Sequence, residues 1–122
     1  MSTATQETIK GYYDGIKRKS RWQAFVADDI VFEGTGMKAT KGKEAFVKSN
    51  SQFLQVVKTS QVKDMIVEGE KACVIVHYEL MSPKGNSASS DVAEILVVKD
   101  GKIGSSTIYF DTAAFANFMA QG

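Results

Sequence analysis

Residues 72–110 read ACVIVHYELMSPKGNSASSDVAEILVVKDGKIGSSTIYF, and this stretch decides the fold class. β-Branched residues dominate it, and turn-forming residues interrupt it at 83–86 and at 100–101. Apolar runs bounded by such turns are typical of neighbouring antiparallel strands. Together with the preceding run and its turn at 68–70, the pattern predicts an antiparallel meander. Its strands span about 61–67, 72–80, 89–98 and 103–110.

The segments around the meander carry helical periodicity. Ile9, Tyr12, Tyr13 and Ile16 have the i, i+3, i+4, i+7 spacing of one face of an amphipathic helix. Four further clusters of mostly apolar residues predict a short helix, a short strand, a third helix and a C-terminal helix. In that order, they are Trp22, Phe25 and Val26; Ile30, Val31 and Phe32; Phe46, Asn50, Phe53, Leu54 and Val57; and Phe115, Phe118 and Met119. Helices that precede the strands without alternating with them indicate a segregated α+β class.

Length and composition limit the functions that this chain can have. Its 122 residues fit one domain, spanning 1–122. With 15 basic and 14 acidic residues the net charge is +1, which is too weak to recruit nucleic acid or an anionic membrane. A single cysteine, Cys73, excludes an internal disulfide and a cysteine-rich metal site and favours the reducing cytoplasm. We therefore predict a cytoplasmic protein with no nucleic-acid or membrane partner, no metal and no cofactor.

Four short motifs resemble one family in their order along the chain. They are ADDIVFE at 27–33, KGKEA at 41–45, EILVVKDGKI at 94–103 and YFD at 109–111. The chain resembles the nuclear-transport-factor-2-like superfamily from residue 9 to residue 118. That superfamily includes ketosteroid isomerases and SnoaL-type polyketide cyclases. The resemblance implies a cone-shaped, cystatin-like fold in which a bent antiparallel sheet wraps around N-terminal helices, encloses a ligand cavity and commonly pairs as a dimer.

The resemblance to ketosteroid isomerase extends to two of three catalytic positions. Tyr12 falls where that enzyme keeps its oxyanion-hole tyrosine, and Glu94 falls where it keeps a protonated aspartate. Gly34 stands where the proton-shuttling aspartate is expected. Steroid isomerisation by that mechanism therefore lacks its base. A tyrosine at helical spacing can equally be plain core, so this alternative for Tyr12 stays open.

Strand register gives an independent prediction of the site. If Gly85-Asn86 forms a two-residue hairpin turn, the facing residues of the two central strands follow by counting back from it. His77 then faces Glu94, and the two form a general acid/base pair in the cavity. The other pairs on that face are Glu79 with Val92 and Ile75 with Leu96. The alternative is that His77 and Glu79 lie on a solvated polar face.

The turn before the last strand allows two registers. A two-residue turn at Asp100-Gly101 places Thr107, Tyr109 and Asp111 beside Glu94. A three-residue turn with a bulge at the glycine places Ser106, Ile108 and Phe110 there instead. We prefer the bulged register, because the resemblance implies that Phe110 lines the cavity.

These inferences define a candidate pocket and two classes of function. The predicted catalytic residues are His77, Glu94 and Tyr12. The predicted lining consists of Trp22, Phe25, Phe32, Phe46, Asn50, Phe53, Ile75, Glu79, Val92, Ile108 and Phe110. One hypothesis is a cofactor-free isomerase, dehydratase or cyclase acting on a small apolar substrate, which the resemblance implies is polyketide- or steroid-like. The alternative is a non-catalytic ligand-binding or association module of the same fold.

The predicted register also leaves an apolar face outside the cavity. It would carry Val74, Val76, Tyr78, Ala93, Ile95 and Val97. Because so much apolar surface is unfavourable in water, we predict a homodimer formed through this outer face.

Overall fold

The computed structural model describes residues 2–121, so residues 1 and 122, the ends of the predicted domain, lie outside the described residues. The helices are α1 (Ser2–Arg18), a 3-10 helix (Trp22–Phe25), α2 (Lys43–Leu54) and α3 (Thr112–Gln121). The strands are β1 (Val26–Gly34), β2 (Thr40–Lys41), β3 (Val57–Glu68), β4 (Lys71–Met81), β5 (Ser87–Lys99) and β6 (Lys102–Tyr109). The predicted α+β class is confirmed.

Six strands form one sheet in the order β2-β1-β6-β5-β4-β3. The predicted meander is present, since β3, β4, β5 and β6 pair antiparallel in succession. β1 is longer than predicted and pairs with β6 in parallel, which makes the sheet mixed. The 3-10 helix that precedes β1 contacts β6, so β1 begins beside that strand and runs in the same direction.

One face of the sheet carries the core. Val74, Val76 and Leu96 are buried on it, and we call it the inner face and the opposite one the outer face. Side chains alternate between the two faces along each strand, as the pleat requires. The predicted face of α1, with Ile9, Tyr12, Tyr13 and Ile16, is buried in the same core.

Two predicted helices begin or end differently in the structure. The second is only a four-residue 3-10 turn, and Val26 already belongs to β1. The third ends at Leu54, and Val57 opens β3 instead. Val26 and Val57 have helical spacing in the sequence but belong to strands in the structure. Pairing of Val26 with β6 and of Val57 with β4 satisfies their backbone hydrogen-bonding groups.

The predicted register between β4 and β5 is wrong. His77 faces Asp91 and not Glu94, and Glu94 faces Val74. The hairpin closes at Met81 and Ser87, and the loop between them is held by hydrogen bonds from Ser82 N to Asn86 O (2.8 Å) and from Gly85 N to Ser82 O (2.9 Å). This loop is longer than the predicted Gly85-Asn86 turn. The partner of His77 thus shifts by three residues, from Glu94 to Asp91, and an odd shift places former partners on opposite faces.

The last hairpin combines features of both predicted registers. Its turn has two residues, since Lys99 faces Lys102 while Asp100 (φ 52°) and Gly101 (φ 74°) adopt left-handed conformations. The register then shifts, because Val98 faces Ile103 and Val97 faces Ser105. Gly104 is therefore the bulged residue, three positions after the predicted bulge. Beyond it Glu94 faces Ile108, one of the three residues that the preferred register places beside it.

Candidate functional site

A cavity of about 370 Å³ lies between the inner face of the sheet and the helices. Its wall is mostly apolar, as is usual for sites that bind small organic molecules. Aromatic side chains from β1, α2, α3 and the residue that follows β6 form much of it: Phe32, Phe46, Phe53, Phe110, Phe115 and Phe118. The polar groups on the wall include Glu94, Tyr78, Tyr12 and Asn50.

Glu94 is the buried acidic group of this cavity. It points inward from β5, and only 4% of its surface is exposed. The Tyr13 hydroxyl donates a hydrogen bond to Oε1 of Glu94 (2.5 Å), and the Tyr78 hydroxyl donates one to Oε2 (2.9 Å). The carboxyl group is therefore held by α1 on one side and by β4 on the other.

Burial sets the ionisation of this cluster. Loss of hydration raises the pKa of Glu94 above its ordinary value, although the hydrogen bonds from Tyr13 and Tyr78 act in the opposite direction by favouring the anion. Burial, followed by the nearby carboxyl group of Glu94, raises the pKa of Tyr12, Tyr13 and Tyr78 well above the usual tyrosine value. The phenols thus keep their protons, while the carboxyl group becomes easier to protonate.

Tyr12 lies beside this cluster and faces the cavity. The amide of Asn50, from α2, donates a long hydrogen bond of 3.4 Å to the Tyr12 hydroxyl. The rings of Tyr12 and Tyr13 meet edge to face at a centroid distance of 5.0 Å. Since Tyr12 accepts from Asn50, its own hydroxyl proton remains available to a ligand oxygen.

The structure brings most of the sequence-predicted residues to this cavity. Tyr12 and Glu94 line it, and they are joined by seven of the predicted lining residues: Phe32, Phe46, Asn50, Phe53, Val92, Ile108 and Phe110. Gly34 also lies on the wall, where an added Cβ would come within 3.2 Å of the sulfur of Met37 and 3.4 Å of the Phe110 ring. The position implied for a catalytic base is therefore close-packed and carries no side chain.

Four predicted lining residues lie elsewhere. Trp22 is buried in the core against Phe46, with ring centroids 6.2 Å apart. Phe25 covers Gly11, where an added Cβ would lie 2.5 Å from the ring. Ile75 and Glu79 project from the outer face, because the register of β4 against β5 differs from the predicted one.

His77 also lies on the outer face, so the prediction that it contacts Glu94 is wrong. Its Nδ1 lies 2.6 Å from Oδ1 of Asp91, and its Nε2 contacts the carboxylate of Glu79. The hydrogen bonds to Glu79 and then Asp91 raise the pKa of His77, and they lower the pKa of both carboxylates. Asp91 is also bonded by Lys63 at 3.1 Å. His77 thus belongs to a charged network that the sheet separates from the cavity.

Several cavity residues were missed by sequence reasoning. Tyr78 was placed on the outer face by the wrong register, although its alternation with His77 shows that only one of the two can face the cavity. Phe115, Phe118 and Met119 were recognised as the apolar side of a last helix but not as cavity wall. The signal for them was the aromatic content of a C-terminal segment that has no charged residue between 112 and 121.

Other kinds of site are less well supported. A larger and more open depression of about 880 Å³ is lined by residues of β1, β5 and β6, but its polar lining is made of surface groups of mixed sign such as Asp29, Lys41 and Lys99. Within residues 2–121, no three His, Cys, Asp or Glu side chains are grouped so that they could hold a metal ion. No helix in the same range is long and apolar enough to cross a membrane.

Comparison with known proteins gives a consistent result. A family model described as a SnoaL-like domain matches residues 9–105, whereas no curated protein sequence matches the chain. A proposed SnoaL-like polyketide cyclase from Jannaschia sp. CCS1 superposes with a TM-score of 0.86 at 14% identity, covering 100% of this chain and 95% of that chain. The protein TerC, co-crystallised with polyporic acid, superposes at 0.81 with 19% identity over 96% of this chain and 98% of that chain.

A proposed ketosteroid isomerase from Kribbella flavida DSM 17836 is also similar. Its TM-score is 0.79 at 18% identity, with 90% of this chain and 79% of that chain covered. At such identities the similarity shows the fold alone. It confirms the predicted cone-shaped α+β architecture.

Proposed function

Because this chain belongs to the SnoaL-like family, we propose that it binds a small, largely apolar organic molecule and exchanges a proton with it through Glu94. The observation that carries the proposal is a buried carboxyl group on the wall of an apolar cavity, held by two tyrosine hydroxyls. Burying such a group is costly, and perturbed acids in pockets are candidates for functional groups.

The chemistry follows from the raised pKa of Glu94. As a carboxylate with a raised pKa, Glu94 can take a proton from the carbon beside a carbonyl oxygen, which leaves an enolate, and as the acid it can return that proton to the ligand. The Tyr12 hydroxyl is placed to polarise the same oxygen, because it shares the cavity wall with Glu94. Such a reaction requires no cofactor, which keeps a cofactor-free isomerase, dehydratase or cyclase as the proposed class.

The cavity favours a compact ligand with an oxygen at one end. A volume of about 370 Å³ is at the lower end of the usual range for small-molecule sites. The aromatic wall suits a flat apolar ring, and the Glu94–Tyr12 side suits its carbonyl or enol group. The complex of TerC with polyporic acid supports the use of this fold for small organic ligands.

A non-catalytic ligand-binding module is the second candidate, and Gly34 favours it. Gly34 offers no side chain where a general base is implied. Among the described residues on the cavity wall, the carboxylate besides Glu94 belongs to Glu33, whose side chain is exposed. A protein with one buried acid and no opposing base could hold a ligand without converting it.

Two probes separate these candidates. 2-Tetralone in D₂O reports enolisation by deuterium uptake beside the carbonyl, and 2-naphthol reports binding by its fluorescence. We expect wild type to accelerate deuterium uptake, and Glu94→Gln to lower that acceleration by about 100-fold, a usual effect of removing an acid/base group. Deuterium uptake is followed by NMR and 2-naphthol binding by fluorescence, both at fixed pH.

Glu79→Gln is the matched control, because it makes the same chemical change on the outer face. It is expected to leave uptake and binding unchanged. Saturable 2-naphthol binding without uptake would favour the binding module over the enzyme. Equal uptake by wild type and Glu94→Gln would contradict the role of Glu94.

A further inference from the structure

Tyr12 and Tyr13 are adjacent in α1 but face different surroundings. Both are buried, with 4% and 5% of their surfaces exposed. Tyr12 lines the cavity, whereas Tyr13 does not. The hydroxyl of Tyr13 instead reaches Glu94 from behind the cavity wall, at 2.5 Å from Oε1.

The second oxygen of Glu94 has a partner on the other side. Oε2 accepts a hydrogen bond of 2.9 Å from Tyr78, and Tyr78 lines the cavity together with Glu94. The two oxygens are therefore not equivalent. Oε1 is bonded by Tyr13, which does not line the cavity, and Oε2 is bonded by Tyr78, which does.

We propose that Tyr13 is a positioning residue that fixes the Glu94 carboxyl group so that Oε2 exchanges the proton with the ligand. The inference rests on the proposed function, since it assumes that Glu94 meets the ligand. The last torsion of a glutamate side chain is broad and two-fold, so packing alone does not choose between its oxygens. The hydrogen bond from the buried Tyr13 hydroxyl fixes the orientation of the carboxyl group, because leaving that hydroxyl without a partner would be costly.

The same contact makes Tyr13 a regulator of the charge on Glu94. The titratable groups that face Glu94 are Tyr12 and Tyr13 from α1 and Tyr78 from β4. Within residues 2–121, Glu94 has no salt-bridge partner. Hydroxyl donors are thus the groups that favour the anion, and removal of one of them should make the proton harder to release.

The test is an NMR titration of the Glu94 carboxyl carbon. Protein is labelled with ¹³C-glutamate, and the Glu94 signal is assigned by its loss in Glu94→Gln. We expect Tyr13→Phe to move the titration midpoint upward by about one pH unit, the size expected for one hydrogen bond to a charged group. Ile9→Val is the matched control, since Ile9 is buried one turn earlier on the same face of α1 and touches the packing without removing a donor. Its midpoint should stay at the wild-type value.

A second variant covers the case in which Tyr13→Phe does not fold. Incorporation of 3-fluorotyrosine at position 13 keeps the ring and makes the hydroxyl a stronger donor, so the midpoint should move downward. The pH profile of 2-tetralone deuteration should follow the midpoint in both variants, while 2-naphthol binding changes by less than about threefold.

The outcomes separate this inference from the proposed function. An unmoved midpoint in Tyr13→Phe, or one that moves equally in Ile9→Val, overturns the positioning role even if wild type is active. A wild type that deuterates no 2-tetralone overturns the proposed catalysis, and the midpoint still decides whether Tyr13 controls Glu94.

Discussion

Glu94 shows how a buried carboxyl group can be tolerated in a largely apolar core. An isolated carboxylate would be strongly destabilising at 4% exposure. Two hydroxyl donors reduce that cost, and no buried side-chain nitrogen or oxygen among the described residues lacks a hydrogen-bond partner. The residue is therefore satisfied but still costly when ionised, which is the usual condition of a functional acid.

This cost predicts a pH-dependent effect of Glu94→Gln on stability. Burial raises the pKa of Glu94 in the folded protein, so its favourable contribution is complete below the unfolded value of about 4.3 and is lost as pH rises through the folded value. Relative to wild type, the free energy of unfolding of Glu94→Gln should therefore increase from pH 4 to pH 8. Urea unfolding of both proteins at pH 4, 6 and 8 measures this difference in the free energy of unfolding.

Glu79→Gln provides the opposite case. The pKa of Glu79 is lowered, first by its hydrogen bond to His77, so its stabilising contribution is present above the unfolded value and is lost as pH falls through the folded value. Relative to wild type, the free energy of unfolding of Glu79→Gln should decrease as the pH rises from 4 to 6. The same trend in both variants would contradict the burial argument for Glu94.

At the scale of elements, β4 and β5 separate two polar systems. Glu94, bonded by Tyr78 from the neighbouring strand, lies on the inner face, and His77 with Glu79 and Asp91 lies on the outer face. Because side chains alternate along each strand, these two polar systems lie on opposite faces of the same sheet. The outer network therefore lies on the opposite face of the hairpin from Glu94.

The outer network should stabilise the hairpin over a defined pH range. The pKa of His77 is raised by Glu79 and Asp91, so its contribution is complete below about pH 6.5 and is lost as pH rises through the folded value. The carboxylates contribute above about pH 4, because their pKa values are lowered. We expect His77→Gln to lower the melting temperature more at pH 5.5 than at pH 9, as measured by circular dichroism.

Lys63→Gln is the control for this experiment. Lys63 also contacts Asp91, at 3.1 Å, and its substitution removes a contact to Asp91 while leaving the imidazole of His77 in place. Its effect on the melting temperature should be similar at pH 5.5 and pH 9. An effect of His77→Gln that does not depend on pH would show that the imidazole charge is not involved.

At the scale of the whole molecule, the inner face of the sheet lines the cavity, and the outer face carries partly exposed side chains. The structure changes the predicted composition of the outer face, because Val74, Val76 and Tyr78 are buried in the core. The half-buried apolar residues of β4 and β5 on the outer face are Cys73, Ile75, Ala93, Ile95 and Val97. Tyr109 from β6, 53% exposed, adds to them.

We therefore keep the homodimer as a proposal, with a revised interface. Sedimentation at micromolar concentration should show a dimer, and Ile95→Glu should convert it to monomer by placing a charge in the apolar part of this face. Met37→Glu is the control, since Met37 is 51% exposed but lies at the cavity wall. A wild-type protein that sediments only as monomer would exclude this interface.

Much of this architecture could be predicted from local patterns. The buried face of α1, the four strands of the meander and the α+β class follow from periodicities of 3.6 and 2 that each segment carries by itself. Seven of the predicted lining residues reach the cavity, since they lie on the apolar sides of these elements. Tyr12 and Glu94 could be identified before any contact was known, because the resemblance to ketosteroid isomerase implies a role for both positions.

Only the tertiary structure decided which partner Glu94 has. The five residues from Ser82 to Asn86 close one hairpin, and the bulge at Gly104 adjusts the next. Each depends on hydrogen bonds that form only when two strands meet, and a shift of one residue exchanges the faces of a strand. By itself the sequence determined that a carboxyl group would enter the core. Strand pairing determined that it meets Tyr13 and Tyr78 there, with His77 on the other side of the sheet.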